Sequence, residues 1–139
     1  NAITWASTIG GMTINTAGVG APHALEHPAS GLRNIVHGRG LAALSPVIYD
    51  EAIKMGAKTE KLADISKLLG GTDEKDLVET LKKLITSVDL TTTLSAEGVK
   101  EEDIDWMAEN SYKIMEGAIK CFPVVFSIED IKRIYKEAL

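Results

Sequence analysis

The sequence predicts an all-α fold, and three observations carry that prediction. Apolar residues recur at helical spacing through most of the chain after residue 40, capping and breaking residues punctuate them at helix-length intervals, and alternating strand patterns are scarce. With 139 residues the chain has enough length for one domain with a real core and too little for two comfortable ones.

The elements follow in order. Ala2 to Thr16 is apolar and carries no charge, with Trp5, Ile9, Met12 and Ile14 set among small residues. A helix without a charged face is usually buried on most sides, so this one is expected to be enclosed. Gly10 and Gly11 each cost about 1 kcal/mol relative to alanine in a helix, which points to close backbone packing or to a kink. The next segment holds all three histidines, His23, His27 and His37. A spacing of four puts His23 and His27 on one helical face. Pro28 would clash with the carbonyl of Ala24 deep in a helix and is tolerated if the helix is only starting. His37 precedes the apolar run Leu41 to Val47 and is expected in the first turn of that helix.

Further on, Leu62, Ile65, Leu68 and Leu69 share a helical face that Gly70-Gly71 terminates. Thr72 and Asp73 offer a cap for a helix with Leu77, Leu81, Leu84, Ile85 and Val88 on its apolar side. A loop is expected around Thr91 to Ser95. A helix should then start near Lys100, where Glu101, Glu102 and Asp103 complement its positive end. Its buried stripe would hold Ile104, Met107, Ala108, Tyr112 and Met115. Ser127 with Asp130 three residues on forms a capping box, and Phe126 with Ile131 occupies the staple positions of the last helix. Its apolar face is expected to carry Ile128, Ile131, Ile134 and Tyr135. Val124-Val125-Phe126 follows Pro123 and reads as an extended connector.

Composition narrows the partners. The net charge of −5 is spread through mixed-sign segments, which argues against nucleic acid and anionic membrane surfaces. No apolar run approaches bilayer length, and no charged-then-apolar leader is evident. Cys121 is the single cysteine, so no internal disulfide is available and a cytoplasmic setting is expected.

Neutral imidazole is a good ligand for iron and zinc, and converging imidazoles with a carboxylate make a common divalent-metal site. The pattern H-x3-H-x9-H leaves two readings open, a metal site or three hydrogen-bonded or surface histidines. It is not the metalloprotease helix, since Ala24 stands where that motif needs glutamate. Glu26 projects about 100° from its neighbour His27 on a helix and is expected to be a poor co-ligand.

The string from Ile9 to Pro46 resembles the signature of iron-containing (group III) alcohol dehydrogenases. The residues that carry the resemblance are Asn15-Thr16-Ala17-Gly18-Val19-Gly20, His23-Ala24-Leu25-Glu26-His27-Pro28, Gly31, His37-Gly38 and Leu41-Ala42-Ala43-Leu44-Ser45-Pro46. Gly98 to Ile104 and Ser127 to Tyr135 continue it less sharply. The family's usual Asn-Pro-Arg is absent at Pro123, where Phe122 and Val124 flank the proline.

The resemblance implies the helical, dehydroquinate synthase-like C-terminal domain of a larger dehydrogenase. On that reading residues 1–139 form a single all-α domain, and the N-terminal dinucleotide-binding domain is absent. It further implies His23 and His37 as metal ligands, His27 as a catalytic residue that relays a proton or positions substrate, and Ile14 in the substrate pocket. The implied metal is Fe(II) or Zn(II). NAD or NADP would be held mainly by the missing domain, and the reaction would interconvert an alcohol and an aldehyde or ketone. The family's other two ligands, an aspartate and a histidine, precede this segment, so weak metal binding and no turnover by the chain alone are expected. Gly18-Val19-Gly20 follows a helix rather than a strand and is a poor phosphate loop.

Two readings of other classes stand beside this one. One is a non-catalytic helical module that uses an exposed apolar face for a partner or for a homo-oligomer. The other is a self-contained metalloprotein whose ligand set is completed by Glu26, another acidic residue or a second subunit.

Overall fold

Helices form where apolar spacing and caps predict them, and no strand occurs among the described residues. The computed structural model describes residues 1–57 and 59–139. In chain order the helices are α1 (Ala2–Ala17), α2 (Ala21–Arg33), α3 (His37–Lys54), α4 (Glu60–Leu68), α5 (Leu77–Ser87), α6 (Ile104–Lys120) and α7 (Ile128–Ala138). Short 3-10 turns, Glu74–Asp76 and Glu101–Asp103, lead into α5 and α6. The segment 124–126 is neither helix nor strand and connects α6 to α7.

The core is built around α2, which packs chiefly on α6 and α3, while α7 closes against α3 and α6. Leu25, Leu44, Ile48, Met107, Ile119, Phe126 and Ile131 are fully buried there. The start of α7 matches its sequence signal. The Ser127 hydroxyl accepts from the Asp130 amide, the Asp130 carboxyl accepts from the Ser127 amide, and the staple pair Phe126 and Ile131 is fully buried. Tyr135 reaches across the core and donates from its hydroxyl to the carbonyl of Leu25 at 2.5 Å, with Ser111 Oγ at 2.9 Å. Burial pushes the Tyr135 hydroxyl pKa well above its ordinary value.

Four expectations are corrected. Helix α1 is a helix, but it has no buried residue, and nothing lies within 4 Å of a Cβ placed on Gly10 or Gly11. An apolar sequence announces a surface to be covered; it does not supply the cover. Pro28 is the eighth residue of α2 rather than part of its first turn. It has no N–H for the carbonyl of Ala24, yet its ring is buried, and the tie from Tyr135 to Leu25 holds the helix in register beside it. On α4 and α5, Ile65, Leu68, Leu84 and Val88 are exposed, because these helices lie at the periphery and only a narrow stripe of each is covered. Ile128 is also left partly exposed at the first turn of α7.

The end of α2 is pinned to the start of α6 by charge. Arg33 donates from Nε and Nη2 to the two carboxyl oxygens of Asp103 at 2.8 and 2.5 Å, and Asp103 Oδ2 also accepts from the Lys100 amide at 2.8 Å. The hydrogen bonds from Arg33 hold the Asp103 carboxyl below the usual carboxylate range. A depressed folded-state pKa contributes stability that is present above the unfolded value and is lost as pH falls through the folded one. The urea midpoint is therefore expected to fall on acidification below about pH 4, and to fall less steeply in an Asp103→Asn variant. Equal slopes for the two proteins would remove Asp103 from the acid response.

Candidate metal centre

Two helix starts create the site. Gly20 opens α2, so His23 lies in its first turn and His27 one turn later on the same face. Asn34, in the left-handed conformation at φ 54°, ends α2 and turns the chain back within three residues. The returning chain makes His37 the first residue of α3, where the sequence predicts it. The three imidazoles form a triangle, with ring centroids 5.2 Å apart for His23–His37, 5.6 Å for His27–His37 and 6.1 Å for His23–His27.

Partial burial lowers the His23 pKa, and the neighbouring His37 and His27 rings lower it further against an opposing effect of Glu26. Both effects favour the neutral ring, the form that carries a free lone pair. Imidazoles converging on one patch suit a borderline divalent cation such as iron or zinc, so the donor set fits the metal that the family resemblance implies.

Glu26 is nearer to this cluster than helix geometry alone predicts. The start of α3 brings His37 to it, and His37 Nδ1 lies 2.5 Å from Glu26 Oε2. The hydroxyl of Ser30 donates to Glu26 Oε1 from the other side. Donor atoms of Glu26, His27 and His37 all fall within 4.8 Å of one another, a grouping that leaves out His23 and differs from the sequence-implied pair His23 and His37. The carboxyl of Glu26 is fully buried, and both its oxygens are engaged by neighbouring side chains. The signal available in the sequence was Ser30, four residues after Glu26 on the same helical face.

Each flank of the triangle opens onto a cleft. One, of about 410 Å³, has Ile14, Val19, Leu41, Tyr49 and Phe122 around it and His23 on its wall. The other, of about 220 Å³, runs between α2 and α6 with His27, Pro28, Trp106, Ile114 and Met115 along it. Tyr49 and Phe122, whose rings pack at 5.7 Å, and Trp106 escaped the sequence reading because they come from separate helices and connectors. The Gly18–Gly20 turn joins two helices, and with no strand among the described residues there is no strand-turn-helix phosphate site.

The fold is all-α, and it brings three imidazoles together from the starts of two successive helices. The C-terminal family model of Fe-containing alcohol dehydrogenases matches residues 1–139, and the chain belongs to that family. It is 29% identical to the NAD-dependent methanol dehydrogenase of Bacillus methanolicus over 99% of this chain and 37% of that protein. It is 31% identical to the 1,3-propanediol dehydrogenase of Klebsiella pneumoniae over 96% of this chain and 36% of that protein. Among solved structures, an archaeal halo-thermophilic alcohol dehydrogenase from a Red Sea brine pool superposes with a TM-score of 0.87 at 34% identity, over 93% of this chain and 35% of that one. The iron-containing alcohol dehydrogenase of Thermococcus thioreducens gives 0.81 at 29% identity, over 96% and 35%. The chain thus spans a little over a third of the length of the curated relatives it matches.

Proposed function

We propose that these residues supply the metal-binding, catalytic domain of an NAD(P)-dependent alcohol dehydrogenase acting on a small alcohol or aldehyde. The observation that carries this reading is the imidazole triangle on α2 and α3, set between two clefts. His23 and His37, the closest pair, hold a divalent ion, Fe(II) or Zn(II), completed by an aspartate and a histidine from elsewhere in the enzyme. The chemistry such an ion supplies is Lewis-acid polarisation of the alcohol oxygen. His27, exposed and one turn from His23, takes up or returns the alcohol proton at a ring nitrogen. Ile14 and the apolar wall of its cleft orient the carbon chain and exclude water. The redox chemistry belongs to the nicotinamide, for which these residues provide no phosphate loop; alone they bind metal weakly and do not turn over. A cytoplasmic setting accompanies this reading, since the one cysteine forms no internal disulfide. Among the described residues no helix is long and apolar enough to cross a membrane.

The test is titration calorimetry with Zn(II) or Fe(II), comparing the chain with a His23→Ala, His37→Ala variant. Heat that disappears in the variant supports the site, and heat that survives means the ligands lie elsewhere.

Helix α1 favours a second use of the same fold. Trp5 and Met12 are 65% and 63% exposed, and the hydroxyls of Thr8, Thr13 and Thr16 turn back onto carbonyls four residues earlier. The helix thus spends its polar groups on itself and presents an apolar surface for another body. Self-association through α1 should appear as a concentration-dependent mass in sedimentation. A Trp5→Glu, Met12→Glu variant is expected to shift it to monomer; a mass unaffected by those changes would exclude α1.

A further inference from the structure

We propose that Glu26 is a positioning residue, which holds His37 as the Nδ1-protonated tautomer and so leaves Nε2 as the lone pair offered to a divalent cation. This rests on the reading of the histidine cluster as a metal site.

A glutamate with no exposed surface is uncommon unless it is paired, because removing its charge from water is costly. Glu26 is compensated on both oxygens, by His37 Nδ1 at 2.5 Å and by the Ser30 hydroxyl. An ionised carboxyl can only accept, so the hydrogen in the contact with His37 comes from Nδ1. In a neutral ring that leaves Nε2 bare. Ligating histidines commonly show this arrangement, with a carboxyl on the second nitrogen fixing ring orientation and raising ligand basicity.

The neighbouring helix is shaped around the carboxyl. A Cβ on Gly40 would stand 2.7 Å from Glu26 Oε1 and 2.8 Å from its Cγ, closer than real Cβ contacts. Glycine inside α3 costs about 1 kcal/mol relative to alanine, and space for Glu26 accounts for it. Because Glu26 belongs to α2 and His37 to α3, the contact also fixes the His37 ring relative to His23, which α2 carries.

Nitrogen NMR of the histidine rings reports the tautomer directly in the metal-free chain, at a pH where the rings are neutral. In the unaltered chain His37 is expected to be protonated at Nδ1. In Glu26→Leu that preference should be lost, and Zn(II) affinity should fall about 10–100-fold with helix content retained. Glu26→Gln keeps an accepting oxygen and is expected to keep the tautomer with a smaller loss of affinity. Gly40→Ala, which pushes the carboxyl away, should act in the same direction as Glu26→Leu. An unaltered chain with His37 protonated at Nε2 overturns the proposal without recourse to any variant. So does a folded Glu26→Leu protein with unchanged tautomer and affinity. Loss of all zinc binding in Glu26→Gln with the tautomer intact would make Glu26 a ligand instead. If the unaltered chain bound no zinc, only the self-contained metalloprotein would be excluded, and the tautomer would still decide whether Glu26 orients His37.

Discussion

Replacing His23 and His37 together by alanine is expected to abolish measurable Zn(II) binding, while His27→Ala leaves affinity within a few-fold. The two outcomes separate roles that the triangle alone does not distinguish, since all three rings lie within 6.1 Å of one another. A ligand gives its lone pair to the ion, so its removal deletes a bond of about 2.0–2.1 Å that no neighbour replaces. A proton-relaying histidine contributes to the rate and little to affinity; general acid–base residues are worth about 10²–10⁴ in turnover. In a complete dehydrogenase carrying His27→Ala, turnover is therefore expected to fall by roughly that factor at nearly unchanged metal content. If His27→Ala abolished binding and His23→Ala did not, the ligand set would be Glu26, His27 and His37, the grouping that donor distances alone pick out.

The second large effect lies behind the site. Phe126→Ala is expected to cost about 3–5 kcal/mol, read as a fall in urea midpoint. That is a large share of the 5–15 kcal/mol typical of a domain. Phe126 is fully buried, precedes the Ser127 cap and staples to Ile131, so its loss removes core volume and loosens the entry to α7 together. Its ring also packs at 5.7 Å on Phe122, which in turn meets Tyr49 at 5.7 Å and lies 3.2 Å from a Cβ placed on Gly20. Gly20 is the cap of α2, three residues before His23. A damaged Phe126 is thus expected to weaken metal affinity as well as stability. A cost below about 1 kcal/mol would mean that Phe122 and Ile131 collapse into the space.

Much of the fold was legible because its signals are local. The Ser127–Asp130 box marked α7, His37 marked the start of α3, and the acidic run before Ile104 marked the turn into α6. Burial was less legible. The apolar faces of α4 and α5 were correctly placed on helices but are only partly covered, because coverage depends on which elements arrive opposite them. Pro28 misled for the same reason: local chemistry forbids it deep in a helix, and a buried ring with a hydroxyl tie from α7 allows it.

By itself, then, the sequence determined the all-α class, most helix starts and the family signature, since capping, periodicity and motif spacing act over a few residues. Only the tertiary structure decided which side chains meet. It brought His37 back to His23 and His27, seated Glu26 under Gly40 against the His37 ring, and left α1 bare. Those outcomes depend on the turn at Asn34 and on the packing of α2 against α3 and α6, contacts that no single helix encodes.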